Sequence, residues 1–145
     1  MTLDEEIINE INQQINPPTI INDWEKLADS LSDSFAWKGS KIDWSKTRHH
    51  QTCLYKKHDD LKVLTDKFIK EHSIDELISN SNVIYYINDS SLDFAIAMTP
   101  EQFESIFFIV INKVPQHHYF FSDDKKWCFV ISSEGYIDFG FSSLS

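Results

Sequence analysis

The side chains of this chain that are able to do chemistry fall in a few short stretches. The densest is Arg48-His49-His50-Gln51-Thr52-Cys53-Leu54-Tyr55-Lys56-Lys57-His58. Imidazole and thiolate are zinc ligands. Yet His49, His50, Cys53 and His58 match no finger spacing, no second Cys/His pair lies at a suitable distance, and the Arg and Lys neighbours repel a cation. The plainer reading is a loop or sheet edge with one histidine partly packed, each of these residues being replaceable. His117-His118 is the second pair. Neighbours on a strand point to opposite faces, so both cannot readily serve one metal, and one of them is expected to be a core histidine. Cys128, between Trp127 and Phe129, is expected to pack as a small hydrophobe. No Gly-x-Ser-x-Gly elbow occurs, and Gly39, Gly135 and Gly140 are too scattered to make a phosphate-binding loop. No catalytic residue, metal site or cofactor is therefore assigned.

Charge says more. The net charge of −10 disfavours direct binding to nucleic acid, which needs a basic excess. Its distribution is uneven. Residues 1–35 carry eight acids against one base, residues 36–70 nine bases against four acids, and residues 71–112 seven acids and no Lys or Arg. A solvated surface of mixed sign is the bland explanation. The sharper one is an acidic face aimed at a basic partner. On that reading the candidate partner-binding residues are Asp75, Glu76, Asp89, Asp93, Glu101 and Glu104. Asp4, Glu5, Glu6 and Glu10 of the first helix form the alternative acidic face.

The elements that must position these groups change period along the chain. Residues 2–15 predict a helix, with a Thr2-Leu3-Asp4-Glu5 capping box and a stripe of Leu3, Ile7, Ile8, Ile11 and Ile15. Pro17-Pro18 stops it. A second helix starts near Asn22-Asp23 and buries Trp24, Leu27, Ala28, Leu31 and Phe35. Lys38-Gly39-Ser40-Lys41 is a turn or loop, with Ile42 and Trp44 as anchors, and Gln51 to Tyr55 a short strand. A third helix over 59–72 turns Leu61, Leu64, Phe68, Val63 and Ile69 inward, and Ser73 caps a short fourth. From Val83 the period becomes two-fold. Val83–Ile87 and Leu92–Met98 predict strands around an Asn88-Asp89-Ser90-Ser91 turn, the second strand with one wet face. Thr99-Pro100-Glu101-Gln102 opens another helix, packed through Phe103, Ile106, Phe107 and Val110. Aromatic and β-branched runs at 118–122, 127–132 and 136–141, with short polar connectors, predict a three-stranded antiparallel meander. Trp127, Phe129 and Ile131 share its core face.

The class is α+β: N-terminal helices packed on a mainly antiparallel sheet that ends in the meander. The length of 145 residues suits one domain, mainly helical over 1–72 and α+β over 73–145. No apolar run approaches the roughly 20 residues needed to span a bilayer. The acidic start Met1-Thr2-Leu3-Asp4-Glu5-Glu6 lacks signal-peptide character. Cys53 and Cys128 are too few for a disulfide framework. A cytoplasmic protein without membrane contact is expected.

Residues 73–142 resemble small bacterial immunity proteins, the cognate antitoxins of contact-dependent growth inhibition and related polymorphic toxin systems. Carrying the resemblance are Asp89-Ser90-Ser91-Leu92-Asp93-Phe94, Met98-Thr99-Pro100-Glu101 with Phe103, Pro115-Gln116-His117-His118-Tyr119, Trp127-Cys128-Phe129, and Glu134-Gly135-Tyr136 with Asp138-Phe139-Gly140. It implies a non-enzymatic cytosolic protein that binds the C-terminal domain of one toxin, often a nuclease, and blocks it. It carries over no site residues. Two other readings stay open at this point: a small metal-dependent hydrolase using the histidines of 48–58 or 117–118, and a non-catalytic adaptor with a different partner.

Overall fold

A computed structural model describes residues 1–89 and 91–143 of the chain. Its helices are α1 (Leu3–Asn12), α2 (Trp24–Ser34), α3 (Leu61–Glu71), α4 (Ile74–Asn80) and α5 (Phe103–Lys113). Its strands are β1 (Thr19–Ile21), β2 (Trp37–Lys38), β3 (Lys41–Ile42), β4 (Arg48–Leu54), β5 (Ile84–Asn88), β6 (Ala95–Met98), β7 (His118–Ser122), β8 (Trp127–Ile131) and β9 (Tyr136–Phe141). Seven of them form one sheet in the order β1-β6-β5-β7-β8-β9-β4, and β2 pairs with β3 in a separate hairpin. Every pairing is antiparallel. This is the α+β class, with the predicted meander as β7-β8-β9. No helix among the described residues is long and apolar enough to cross a membrane.

Period-two alternation divides the sheet's side chains between two cores. One face carries Phe120, Trp127, Phe129, Ile131, Ile137 and Phe139, packed on α1, α3, α4 and α5 through Ile7, Ile11, Phe68, Ile78, Phe103 and Phe107. Its centre is aromatic: Phe120 lies 5.3 Å from Phe103, 5.6 Å from Phe107 and 6.2 Å from Phe129 between ring centroids. Full burial of each such side chain contributes about 1.5–3 kcal/mol. The other face carries Tyr119, Phe121, Cys128 and Val130 under Leu31 and Phe35 of the α2 segment and Ile42 of the hairpin. Strands β7 and β8 are thus buried on both sides, so their sequences read as unbroken apolar runs.

Several expectations change in detail. α1 ends at Asn12, and Ile15 beyond it is 98% exposed, because the turn before Pro17 carries it off the stripe. Thr2 does cap α1, its hydroxyl accepting the Glu5 N–H at 3.2 Å. Asp23 and Ser73 make no side-chain cap; Ser73 instead takes a left-handed conformation that folds α4 back on α3. Val63 points outward while Ile69 is buried. β6 begins at Ala95 rather than Leu92, and its second face is covered: Ala95 packs in the second core, and the strand is flanked by β1. Of the expected turn at 88–91, Asn88 closes β5 and Ser90 lies outside the described residues.

Gly135 turns β8 into β9 with a φ of 98°, and a Cβ there would lie 2.9 Å from the backbone oxygen of Tyr55. Gly135→Ala is therefore expected to cost about 1–3 kcal/mol, from left-handed strain and a backbone collision together. Urea denaturation checks it; an unchanged midpoint would show that the loop relaxes freely.

Candidate functional site

α2 and the hairpin cover only part of the second sheet face. Over β9 and β4 that face stays open and forms a cleft of about 510 Å³. Alternation decides what lines it. Ile137, Phe139 and Phe141 take the helical face, so Tyr136, Asp138 and Gly140 take the cleft face. On β4, Thr52 pairs with Asp138 and Leu54 with Tyr136, which brings Thr52 and Leu54 to the same side. Val130 and Tyr119 continue the floor, Ser132, Glu134 and His117 close one end, and Lys41, Ile42 and Trp44 make the wall. Gly140 makes the wall possible. A Cβ there would stand 3.1 Å from the Trp44 ring and 2.9 Å from the Thr47 hydroxyl, so only a bare backbone lets the 3-10 turn Trp44–Lys46 lie against the sheet.

The polar groups of the cleft are coupled. His50 Nε2 lies 2.7 Å from Asp138 Oδ1, and Asp138 is only 7% exposed in the middle of β9. Trp44 stacks on the His50 ring at 5.1 Å with planes 10° apart. Lys41 forms an ion pair with Glu134, and His117 Nε2 lies 3.7 Å from the same carboxylate. Lys41 holds the Glu134 carboxyl below the ordinary carboxylate range. The backbone N–H of Ser133 donates to His117 Nδ1 at 3.1 Å, which leaves the ring proton on Nε2, facing Glu134. Burial pushes the Tyr119 phenol above its ordinary range. A buried carboxylate with an imidazole is able to exchange a proton, but among the described residues no hydroxyl or thiol hydrogen-bonds to His50. Cys128 is on the same face yet fully buried, and burial raises its thiol pKa.

The structure separates the histidines of the two sequence clusters and joins one from each. His49 adopts a φ of 55° at a bulge and meets the edge of Phe141, away from the cleft, while His58 stays exposed beyond β4. His117 enters the cleft. His118 takes the opposite face, buried with its Nδ1 2.8 Å from the Tyr86 hydroxyl. Among the described residues, no group of three or more His, Cys, Asp and Glu side chains is placed to hold a metal ion.

Asp75, Glu76, Asp89, Asp93, Glu101 and Glu104 are all exposed, but they do not form one face. Asp75 and Glu104 border a shared depression where β6 leaves the sheet, and Glu101 and Glu104 a neighbouring one that includes Glu10. Bases from elsewhere in the chain enter there: Lys62 pairs with Glu104 at 3.2 Å and Lys113 with Glu10 at 2.8 Å. Asp89 and Asp93 sit at the other end of the β5–β6 pair. Asp89 accepts the backbone N–H of His117 at 3.3 Å and so adjoins the cleft, and Asp93 accepts the Trp24 indole N–H at 3.0 Å. Glu134, Asp138, Lys41, Trp44, Tyr119 and Tyr136 were not among the sequence candidates. The signal for Asp138 was legible, since a carboxylate alternating with Ile137 and Phe139 must face something polar across the strand.

The chain matches no protein-family model and no curated protein.

Proposed function

We propose that the chain is an immunity protein that binds the C-terminal domain of a cognate toxin, a nuclease, in the cytoplasm and masks its basic active-site surface. One observation carries the reading: the open cleft joins a concave aromatic lining to the carboxylates Glu134 and Asp138, and Asp89 and Asp93 stand at the same end of the sheet. Beside it Leu54 and Tyr136, a cross-strand pair, are 70% and 46% exposed. Apolar side chains next to a charged rim are what protein interfaces use to anchor a partner. A nuclease must present Lys and Arg to hold phosphates, so carboxylates opposite them steer the encounter. The net charge of −10 supplies the long-range part of that attraction.

Association with the toxin domain encoded beside this chain's gene tests the reading. Asp89→Lys with Asp93→Lys is expected to slow association about tenfold or more at low salt, with the difference shrinking as salt rises. Glu101→Lys with Glu104→Lys, at the far end, is expected to slow it less. A larger effect from the far-end pair would move the interface to α5. Parental rates and full protection of cells with both pairs, or the lack of any adjoining toxin gene, would overturn the masking itself.

A further inference from the structure

We infer that the free edge of β4 is a docking site for an extended acidic segment of a partner protein, which adds to the sheet as a further strand. This goes beyond masking, which places its contacts on the cleft and on Asp89 and Asp93 and needs nothing from this edge.

The backbone decides that the occupant is a strand. β4 has one neighbour in the sheet, β9. The ladder between them continues through the Tyr55 N–H, which donates to the Gly135 oxygen at 2.9 Å. Residues of an antiparallel strand bond alternately toward and away from their neighbour. Cys53, opposite Ile137, therefore bonds inward, and Thr52 and Leu54 turn their N–H and C=O groups outward. Among the described residues nothing meets those groups except the Cys53 thiol, 3.4 Å from the Leu54 oxygen. Both side chains are exposed as well, Leu54 at 70%, so neither is covered by another part of the chain. The opposite edge is closed to such pairing, because β1 is three residues long and follows Pro17-Pro18.

Charge selects among strands. Residues 36–58 hold six bases and one acid in a chain of net charge −10. Arg48 opens β4 and Lys56-Lys57 follow its end; among the described residues their side chains make no ion pair. The nearby Asp59 and Asp60 accept the backbone N–H groups of Lys56 and Val63 in the next turn. Pairing with a second copy would bring the bases together: aligned antiparallel about Thr52, Arg48 would face Lys56 across the two-fold axis. The bulge at His49, with a φ of 55°, further deters a matching edge. Like charge and a bulge keep identical edges apart and still admit a segment with carboxylates at its ends. An apolar residue in that segment would cover Leu54, as cross-strand neighbours do.

Ac-Glu-Val-Thr-Val-Thr-Val-Glu-amide and the same peptide with Lys in place of both Glu are the probes, titrated into the isotope-labelled chain and read by amide NMR shifts and hydrogen exchange. The acidic peptide is expected to shift residues 51–55 saturably, to slow exchange of the Thr52 and Leu54 N–H groups, and to bind at least about tenfold more tightly than the basic one. The net charge of the chain opposes an acidic peptide in general, so such a preference is a local property of this edge. Two analogues of the acidic peptide, N-methylated on alternate residues, separate an added strand from simple attraction: the one that loses the N–H groups facing β4 is expected to lose binding, and the other to keep it. Lys56→Glu with Lys57→Glu, at exposed positions beyond the strand, is expected to abolish the acidic preference. Equal binding of the acidic and basic peptides, equal binding of the two methylated analogues, or a preference that survives the charge reversal would overturn the site. So would the absence of a saturable shift at β4, or association of copies through β4 without peptide. The titration needs no toxin. Its failure removes the edge site and leaves masking to its own charge-reversal result, while an edge that takes acidic strands stands whatever becomes of masking.

Discussion

Trp127→Ala is expected to lower the unfolding free energy by about 3–5 kcal/mol. The indole is 3% exposed on β8, the strand between β7 and β9, with its ring 5.9 Å from that of Phe139. Removing it leaves a cavity between the sheet and the helices that strand neighbours on both sides hold open. The loss is a large part of the roughly 5–15 kcal/mol that holds a typical domain together. Urea denaturation followed by far-UV circular dichroism measures it. Trp127→Phe, which keeps a ring in place, should recover most of the loss. A Trp127→Ala chain with the parental midpoint would remove β8 from the core.

Acid is expected to weaken the fold through His118. The side chain is 5% exposed, and burial is the main reason its pKa falls from the ordinary 6.5 to about 4, with the charge of the neighbouring His117 second. The unfolded chain takes up this proton near pH 6.5 and the folded chain only near pH 4. Between those values the unfolded state binds more protons, so stability falls as pH falls. The contribution is complete above pH 6.5 and is lost towards pH 4. Its full size is about 3 kcal/mol. Unfolding free energies at neutral pH and at about pH 4.5, for the parent and for His118→Gln, separate this group from the carboxylates that titrate lower still. The variant should lose less on acidification. Parallel losses would show that His118 does not govern the acid response.

Both expectations depend on strands that are legible in the sequence, and for a physical reason. The runs 118–122, 127–131 and 136–141 are rich in aromatic and β-branched residues and joined by connectors too short for anything but antiparallel neighbours. Helices with an apolar stripe, such as Leu3, Ile7 and Ile11, are equally local. β1 was not legible because its three residues follow Pro17-Pro18 and gain their conformation only from the register Thr19 to Ala97. The β2–β3 hairpin has two residues a side and is held by what it covers rather than by its own sequence. The cleft was hidden for the same reason. His50 meets Asp138 across 88 residues, and Lys41 meets Glu134 across a similar span, so no spacing rule reaches them. The acidic run 71–112 is the opposite case, contiguous in sequence and divided in space between the two ends of the β5–β6 pair. Uniform charge along a segment does not make a uniform surface when the segment crosses the sheet and its ends lie apart.

The two sheet edges, β1 and β4, come from the first half of the chain, and the five strands between them come from residues 84–141. A chain leaving the ribosome thus presents α1, β1, α2 and β4 before any strand they pair with has been made. β4 must wait for β9, where Arg48 finally meets Phe141. Closing loops of that length is slow, and it cannot begin until the last strand is free of the exit tunnel. Until then the apolar stripe of α1 and both edges of β4 are open to other nascent chains, so this fold is completed only once residue 141 has emerged and is most prone to aggregate in the interval before it does.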